Sequence, residues 1–333
     1  MKEIRLGTIG SGVIVHSILD NVARTEGIHL EAVFSRQEEK GRALAQNYGA
    51  DKVYTDMERF LLDPDINVVY IATPNLLHYE QTKKALEAGK HVICEKPFCT
   101  RADHVKELMD LAQEKDRMLI EAVPTSFLPN YEEIRKRLPQ LGRIRLIMAN
   151  YSQFSSLYNN LLAGEVPNIF NPQFAGGCLM DINYYNVYLT VALFGSPESA
   201  VYYPNRFTNG IDTSGMVQMS YPDFQVSCVG AKDTKGMNYY QIEGENGYLY
   251  ITDGSNGLKE VRIVTGKQEE TVNLQPDPDR WYYEIQALTA LMLAEDKDAF
   301  RARLQTTYET VRVVENVRKA AGIVFPGDVC NEK

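Results

Sequence analysis

The chain has 333 residues, of which 44% are hydrophobic and 24% charged, and its formal net charge is −9. This length exceeds what one hydrophobic core usually spans, so two domains are expected, and the acidic surface disfavours nucleic acid as a partner. The first apolar stretch is too short for a signal peptide, and no window is apolar enough to span a bilayer. We therefore expect a cytoplasmic protein with no membrane partner.

The cysteines are Cys94, Cys99, Cys178, Cys228 and Cys330. Their odd number and the lack of any CxxC spacing predict neither a disulfide framework nor a structural zinc site. Free thiols fit a reducing compartment, and no metal is expected.

Residues 1–122 alternate short apolar runs with helical patterns. Such alternation predicts a parallel sheet with helices on both faces, a Rossmann-type domain over 1–123. The predicted strands are 4–9, 30–34, 68–72, 91–94 and 118–122, and the predicted helices are 13–25, 38–48, 57–62, 76–88 and 102–115.

After Val123-Pro124 the pattern changes, and turn signals separate several strands between 199 and 274. This predicts an α+β domain with an open, mostly antiparallel sheet over 124–333. Its other predicted elements are a strand at 143–154 and helices at 130–138, 179–194, 281–294 and 306–321.

A glycine-rich turn, Gly10-Ser11-Gly12-Val13-Ile14, follows the first predicted strand and opens a helix. Gly10 permits the tight turn, and Gly12 lets the backbone approach a pyrophosphate at the positive end of the helix. The third position, usually Gly or Ala, is Val15, which still fits an apolar contact. We predict that Gly10, Gly12, Val13 and Ile14 bind a dinucleotide; a plain strand–helix turn is the alternative.

The end of the second predicted strand distinguishes NAD from NADP. NAD sites usually place Asp or Glu there to accept a hydrogen bond from the ribose 2′-hydroxyl. This chain has Ser35 and Arg36, and an arginine can pair with the 2′-phosphate of NADP. We expect NADP(H) as the preferred cofactor and NAD(H) as the second choice; a solvated arginine is the alternative.

Two groups of residues could carry chemistry. Glu95-Lys96-Pro97 ends a predicted buried strand, where parallel sheets bind ligands, so Lys96 is expected beside the nicotinamide. Asp181 and Tyr185 are four residues apart on a predicted helix and share one face. A nearby ammonium such as Lys96 would make Tyr185 a usable general acid. The alternatives are a surface Glu–Lys pair and an amphipathic helix with packed tyrosines.

Several motifs occur together in one order along nearly the whole chain. They are Gly10-x-Gly12, Ala72-Thr73-Pro74-Asn75-x-x-His78, Glu95-Lys96-Pro97, Phe170-Asn171-Pro172, Gly176-Gly177-x-x-x-Asp181-x-x-x-Tyr185 and Ile242-Glu243-Gly244-Glu245-Asn246-Gly247. This set resembles the glucose–fructose oxidoreductase, inositol dehydrogenase and rhizopine catabolism (Gfo/Idh/MocA) family.

The resemblance implies a Rossmann domain followed by an α/β domain, whose open sheet often forms a homodimer or homotetramer interface. It implies that Lys96, Asp181 and Tyr185 are the catalytic groups. Many sugar dehydrogenases of the family have His where this chain has Tyr185. The tyrosine makes the chain similar to the NADP-dependent dihydrodiol and xylose dehydrogenase branch. Asn183 departs from the family by replacing the usual glycine.

We therefore expect reversible hydride transfer between NADP(H) and a carbinol or carbonyl carbon of a sugar-, polyol- or diol-like small molecule. Further expected cofactor contacts are Thr73, Asn75, His78 and Glu95, and expected substrate contacts are Tyr158, Asn168 and Asn171. The alternatives are a dinucleotide-sensing regulatory protein without catalysis and a nicotinamide-dependent glycosidase on the same fold. Retention of Lys96, Asp181 and Tyr185 favours the enzyme.

Overall fold

The computed structural model describes residues 1–328, so Cys330 lies outside the described residues. The chain forms two compact units. The first comprises Met1–Val123 with Trp281–Tyr308, and the second comprises Pro124–Arg280 with the chain from Glu309 onward. The predicted domains, 1–123 and 124–333, stay a prediction; the first unit contains the additional segment Trp281–Tyr308.

The first unit contains a six-stranded parallel sheet in the order β3-β2-β1-β4-β5-β6. The elements in chain order are β1 (Ile4–Ile9), α1 (Val13–Val22), β2 (Ile28–Phe34), α2 (Glu38–Tyr48), β3 (Lys52–Tyr54), α3 (Met57–Leu62), β4 (Val68–Ile71), α4 (His78–Glu87), β5 (His91–Glu95), α5 (Ala102–Glu114) and β6 (Leu119–Ala122). This arrangement confirms the predicted Rossmann architecture.

Strand order reverses between β1 and β4, which are neighbours in the sheet. Ligands of such sheets bind beyond the carboxyl ends of the strands at this reversal. All four residues of β4 are fully buried, as expected of a parallel strand covered on both faces. Strand β3 was not predicted, because its three residues are only partly buried and carry no apolar run.

The second unit contains an eight-stranded sheet in the order β14-β13-β12-β11-β7-β10-β9-β8. The next elements in chain order are α6 (Pro129–Arg137), β7 (Ile144–Ser152), α7 (Tyr158–Leu162), α8 (Tyr184–Phe194), β8 (Ser199–Arg206), β9 (Asp212–Ser220), β10 (Gln225–Ala231), β11 (Tyr239–Gly244), β12 (Gly247–Thr252), α9 (Gly254–Gly257), β13 (Glu260–Thr265) and β14 (Gln268–Val272). Every pair of neighbours is antiparallel except β7 with β10, so the predicted mostly antiparallel sheet is confirmed.

The last two helices are α10 (Arg280–Leu293) and α11 (Lys297–Ala320). Helix α11 begins nine residues before the predicted start at 306. Its first turns are rich in charged residues, but Phe300 and Leu304, four residues apart, are buried. Within residues 1–328, every helix is too short or too polar to cross a bilayer.

Candidate active site

The glycine-rich turn lies at the carboxyl end of β1, beside the end of β4. Gly10 has a φ of +124°, and a Cβ there would lie 2.3 Å from the carbonyl oxygen of Ala72. Only glycine fits this position. Gly12 is extended and caps α1, and a Cβ on it would meet no heavy atom within 4 Å.

The amino end of α1 can therefore receive an anion. Val13, its first residue, is 85% exposed, and the first turn contains no acidic side chain. The backbone amides and the positive helix end are what a pyrophosphate requires. At the third motif position Val15 is fully buried and packs in the core, while Ile14 is half-buried. The turn fits a dinucleotide.

Beyond β2, Ser35 is buried and Arg36 is exposed. The Ser35 hydroxyl donates to the carbonyl of Gln37 at 2.9 Å and so fixes the turn before α2. The nearest following acid, Glu38, accepts two hydrogen bonds from Arg42. Neither residue at the strand end is acidic, so Arg36 sets the charge there.

His78 connects the loops that follow β4 and β5. Its ring is 1% exposed, with Nε2 2.8 Å from the Thr73 carbonyl oxygen and Nδ1 2.9 Å from the Pro97 carbonyl oxygen. Both partners are acceptors, which suits an imidazolium. Complete burial, together with the charge of Lys96, lowers its pKa, while the contacts with the two carbonyls oppose that shift. His78 holds the two loops together.

Thr73 and Asn75 occupy the β4 loop. The Thr73 hydroxyl donates to Gln81 Oε1 at 2.6 Å, so its hydrogen is engaged within the protein. Asn75 is half-buried and begins a 3₁₀ turn, Asn75–Leu77, that leads into α4.

Two buried carboxylates, those of Glu95 and Glu121, fix the chain at the end of β5. Glu95 is 8% exposed and accepts a hydrogen bond of 2.5 Å from the fully buried hydroxyl of Tyr70. Glu121 accepts from the Phe98 amide at 2.9 Å and from the Thr307 hydroxyl at 2.8 Å. Lys96, between them in sequence, is half-buried. Glu95 therefore points into the core.

In the second unit, Asp181 and Tyr185 lie where a π-helical turn, Leu179–Asn183, runs into α8. The prediction of one helix over 179–194 is thus refined: its first turn is wider than an α-turn. The Asn183 amide donates to the Cys228 carbonyl of β10 at 3.1 Å. A Cβ on Gly230 would lie 2.6 Å from Asn183 Cβ, so this close packing requires glycine.

A buried carboxylate fixes the start of the π-helical turn. Asp212 Oδ2 accepts from the Leu179 amide and from the Tyr202 hydroxyl, each at 2.7 Å, and burial raises the pKa of Asp212. Gly177 has a φ of +111°, and a Cβ there would lie 2.1 Å from Asp212 Oδ1. The double-glycine motif thus serves this close approach.

The carboxylate of Asp181 pairs with Lys232, which directly follows β10. The side chain of Lys232 is 6% exposed and that of Asp181 is 24% exposed. Tyr185 is 5% exposed, and its ring lies 6.0 Å from that of Tyr151. The structure therefore brings an ion pair and a tyrosine together on one helix start.

The loop residues predicted as substrate contacts differ in setting. Tyr158 is half-buried, with its ring 5.8 Å from Phe154 and 5.9 Å from Phe170. Asn168 is exposed at the start of a 3₁₀ turn. Asn171 Oδ1 accepts from the Gln173 amide at 2.9 Å, so that oxygen caps the next turn.

Comparison with known proteins identifies the family. Residues 4–123 match the Gfo/Idh/MocA oxidoreductase family with NAD-binding Rossmann fold, and residues 133–250 match the Gfo/Idh/MocA C-terminal domain. The scyllo-inositol 2-dehydrogenase (NADP(+)) IolU of Bacillus subtilis (strain 168) is 32% identical over 326 residues, 98% of this chain and 99% of that protein. The chain belongs to the Gfo/Idh/MocA oxidoreductase family.

Two further similarities agree with this. Human trans-1,2-dihydrobenzene-1,2-diol dehydrogenase is 28% identical over 341 residues, covering 98% of this chain and 99% of that protein. The crystal structure of KijD10, a 3-ketoreductase from Actinomadura kijaniata, with NADP and TDP-benzene shares the fold, with a TM-score of 0.83 at 22% identity over 95% of this chain and 97% of that one. The predicted family and the oxidoreductase class are confirmed.

Lys232 was missed by sequence reasoning in this Gfo/Idh/MocA protein, although a signal existed. Lys96 was identified because a lysine directly follows a buried strand. Ala231-Lys232-Asp233 has the same character at the end of β10, where Val226 and Cys228 are buried. Its partner is 51 positions away, which sequence spacing cannot reveal. Asp212 and Glu121 were missed for the same reason.

Proposed function

We propose that the chain catalyses reversible hydride transfer between NADP(H) and a carbinol or carbonyl carbon of a sugar, polyol or diol. The observation that carries this proposal is the position of Tyr185, four residues after Asp181. The carboxylate of Asp181 pairs with the buried ammonium of Lys232. A relative named for scyllo-inositol and one named for a dihydrobenzene-diol support a substrate with neighbouring hydroxyl groups on a ring.

The cofactor is held mainly by backbone. The amides of the turn and the amino end of α1 would hold the pyrophosphate, and Arg36 would pair with the 2′-phosphate, which would favour NADP(H) over NAD(H). The residues that we assign to the cofactor are Gly10, Gly12, Val13, Ile14, Ser35, Arg36, Thr73, Asn75 and Lys96. His78 and Glu95 act through others, because the ring of one and the carboxylate of the other are buried within the protein.

Bound NADPH supplies a hydride to the carbonyl carbon of the substrate. The Tyr185 hydroxyl donates its proton to the carbonyl oxygen, which becomes the hydroxyl of the product. The Lys96 ammonium stabilises the negative charge that develops on that oxygen, and Asp181 accepts a hydrogen bond from a neighbouring substrate hydroxyl. In the oxidative direction the Tyr185 phenolate takes the proton back.

The loop between β7 and the π-helical turn supplies specificity. We assign Tyr158 and Asn168 to substrate contact through their side chains. Asn171 contributes through its amide nitrogen, since its Oδ1 accepts from Gln173. Hydroxyl and amide groups of this kind fit a polyhydroxylated ligand.

The test follows the absorbance of reduced nicotinamide when the purified protein meets NADPH or NADH and a panel of aldoses, ketoses, inososes and α-dicarbonyls. Turnover that is faster with NADPH supports the proposal. If no carbonyl and no polyol with NADP reacts although the cofactor binds, a sensing protein is favoured. Cleavage of an aryl glycoside by protein that retains its cofactor through dialysis favours the glycosidase.

A homodimer through the open face of the second sheet is also proposed. Val201, Tyr203 and Met216 on β8 and β9 and Leu146 on β7 are each between 44% and 59% exposed. Tyr203 and Met216 are direct partners across the two strands. Val201, Tyr203 and Met216 lie close together on one sheet face, and Leu146 lies on the same face two strands from β9. Exposed apolar side chains on one sheet face are typical of an interface.

Light scattering after size exclusion tests this interface. Tyr203→Glu combined with Met216→Glu should halve the mass of the particle, because the new carboxylates of one protomer would face those of its partner in the interface. The control is Leu62→Glu, which charges an apolar residue of α3 that is 75% exposed, more than Tyr203 or Met216. A double variant with unchanged mass contradicts the proposal, and a particle that dissociates only to dimers indicates a tetramer.

We propose the cytoplasm as the location. Support comes from the four described cysteines, Cys94, Cys99, Cys178 and Cys228, which are all unpaired and buried. Fractionation of producing cells, with activity measured in each fraction, tests it; activity in an extracytoplasmic fraction would contradict it.

A further inference from the structure

Lys232 is held rigidly by its own backbone. Its amide donates to the Thr213 carbonyl at 2.8 Å, and its carbonyl accepts from the Ser155 amide at 2.9 Å. The following residue, Asp233, accepts hydrogen bonds from the Thr213 and Ser214 hydroxyls at 2.7 and 2.9 Å. The side chain therefore leaves the end of β10 in a defined direction.

The surroundings of the Lys232 ammonium are unusual for a lysine. The ammonium contacts Asp181 Oδ2 and lies 5.8 Å from the centre of the Phe170 ring, which is fully buried. A cation this well buried requires a neighbouring anion and gains from an aromatic face. Asp181, the more exposed partner, supplies that anion.

Stability alone is a weak reason for such a pair. Buried ion pairs are commonly no more stable than apolar side chains of similar size. This pair lies on a π-helical turn, a feature often found at functional sites, and one turn before Tyr185. The ion pair is thus placed where it fixes a carboxylate beside the proposed proton donor.

We propose that Lys232 is a positioning residue of the active site, whose ammonium keeps the Asp181 carboxylate oriented toward a substrate hydroxyl. This inference rests on the proposed function. It makes the site depend on a second lysine, in addition to Lys96, and on the segment after β10. The fully buried ring of Phe170 lies beside the ammonium.

The experiment compares Lys232→Met, which keeps length without charge, with Lys232→Arg, which keeps the charge. We expect Lys232→Met to lose about 10- to 100-fold in kcat/KM for the carbonyl substrate, the scale of one charge-assisted hydrogen bond. The dissociation constant of NADPH should stay within about twofold, because Asp181 is assigned to substrate. Lys232→Arg should recover most of the lost kcat/KM.

The matched control is Lys90→Met. Lys90, which directly precedes β5, is also buried, but its ammonium donates to the backbone carbonyls of Asp63 and Ile66. Its loss should lower the melting temperature while kcat/KM of the folded protein stays at the wild-type level. This control separates a general effect of removing a buried lysine from an effect on the site.

A double variant separates charge pairing from catalysis. Asp181→Asn alone leaves Lys232 buried without its anion, so the melting temperature of this variant should fall below that of the wild type. Asp181→Asn combined with Lys232→Met should melt nearer to wild type and remain as slow as Asp181→Asn. If activity returns together with stability, or if Lys232→Met keeps wild-type kcat/KM, Lys232 is only structural and the inference is wrong. A wild-type protein with no turnover on any substrate overturns the proposed function instead, and the inference with it.

Discussion

The two parts of the molecule that carry the candidate chemistry are built by different means. At the carboxyl edge of the first sheet, backbone atoms make the decisive contacts, as when Gly10 fits against the Ala72 carbonyl and His78 lies between two carbonyls. In the second unit, side chains do so, through Asp181 with Lys232 and Asn183 with β10. The first part should therefore be sensitive to backbone shape, and the second to single functional groups.

The largest expected effect tests the second part. Tyr185→Phe should lower kcat by about 10²- to 10⁴-fold, the usual contribution of a general acid, because the substrate oxygen loses its proton donor. NADPH affinity should stay unchanged in a fluorescence titration. Tyr184→Phe removes a neighbouring hydroxyl from the same helix and serves as the control. Equal turnover of both variants would assign proton transfer to another group.

The two glycines of the turn test the first part. Gly10→Ala places a Cβ against the Ala72 carbonyl and a side chain at positive φ, so we expect a loss of about 1–3 kcal/mol in the free energy of unfolding. NADPH affinity should fall by about 10- to 100-fold, the scale of one lost charge-assisted hydrogen bond to the pyrophosphate.

Gly12→Ala should keep the unfolding free energy of wild type, since the structure leaves open space at its Cβ. It should still weaken NADPH binding, because that space is where a pyrophosphate approaches the backbone. Chemical denaturation and cofactor titration measure both quantities. If the Gly10→Ala protein binds NADPH with wild-type affinity, the backbone shape of the turn is not what binds the cofactor.

Cofactor choice provides a smaller effect that depends on one side chain of the first part. Arg36→Ala should raise the Kd of NADPH by about 10- to 100-fold and leave that of NADH unchanged, because only NADPH carries the 2′-phosphate. Arg42→Ala, an exposed arginine of α2, is the matched control. A parallel loss for both cofactors would show that Arg36 does not read the phosphate.

The smallest expected effect concerns pH and the opposite edge of the first sheet. Burial, with the nearby Arg117, lowers the pKa of His91 from 6.5 to about 4, and its Nδ1 accepts a hydrogen bond from the Met118 amide at 2.8 Å. The unfolded chain binds the proton more readily, so stability is full above pH 6.5 and declines toward pH 4.

From pH 7 to pH 5 this residue should account for a loss of about 2 kcal/mol in unfolding free energy. His91→Gln, which keeps an acceptor for Met118, should show a shallower decline in urea titrations at the two pH values. Identical declines in both proteins would remove His91 as the cause.

The contrast also explains what the sequence could predict. The glycine turn, Ser35-Arg36 and Lys96 could be proposed from the sequence because each lies next to its own strand, where local spacing carries the information. The hydrogen-bond partners of Lys232, Asp212 and Glu121 include residues between 23 and 186 positions away in the sequence. Only the folded chain brings these partners together. That His78 lies along the cofactor stays a prediction; the contacts of its buried ring with two backbone carbonyls were not predicted.

Fold prediction succeeded where apolar periodicity was strong. Strand β1 and helix α2 were predicted with their observed bounds. Strand β3 lacks such periodicity, and the start of α11 shows it only in Phe300 and Leu304 among charged residues. The π-helical turn lies where Asn183 packs closely on Gly230 of β10, a contact that local sequence does not reveal.

The π-helical turn also bears on how this chain could change in length. A turn of this kind holds one residue more than the α-helix that replaces it when that residue is deleted. Loss of one residue between Leu179 and Asn183 could therefore be absorbed locally, with α8 left in place. The cost is angular: each α-helical residue turns the chain by about 100°, so the aspartate would swing away from Lys232. Single-residue deletions here should leave a folded protein that has lost its ion pair.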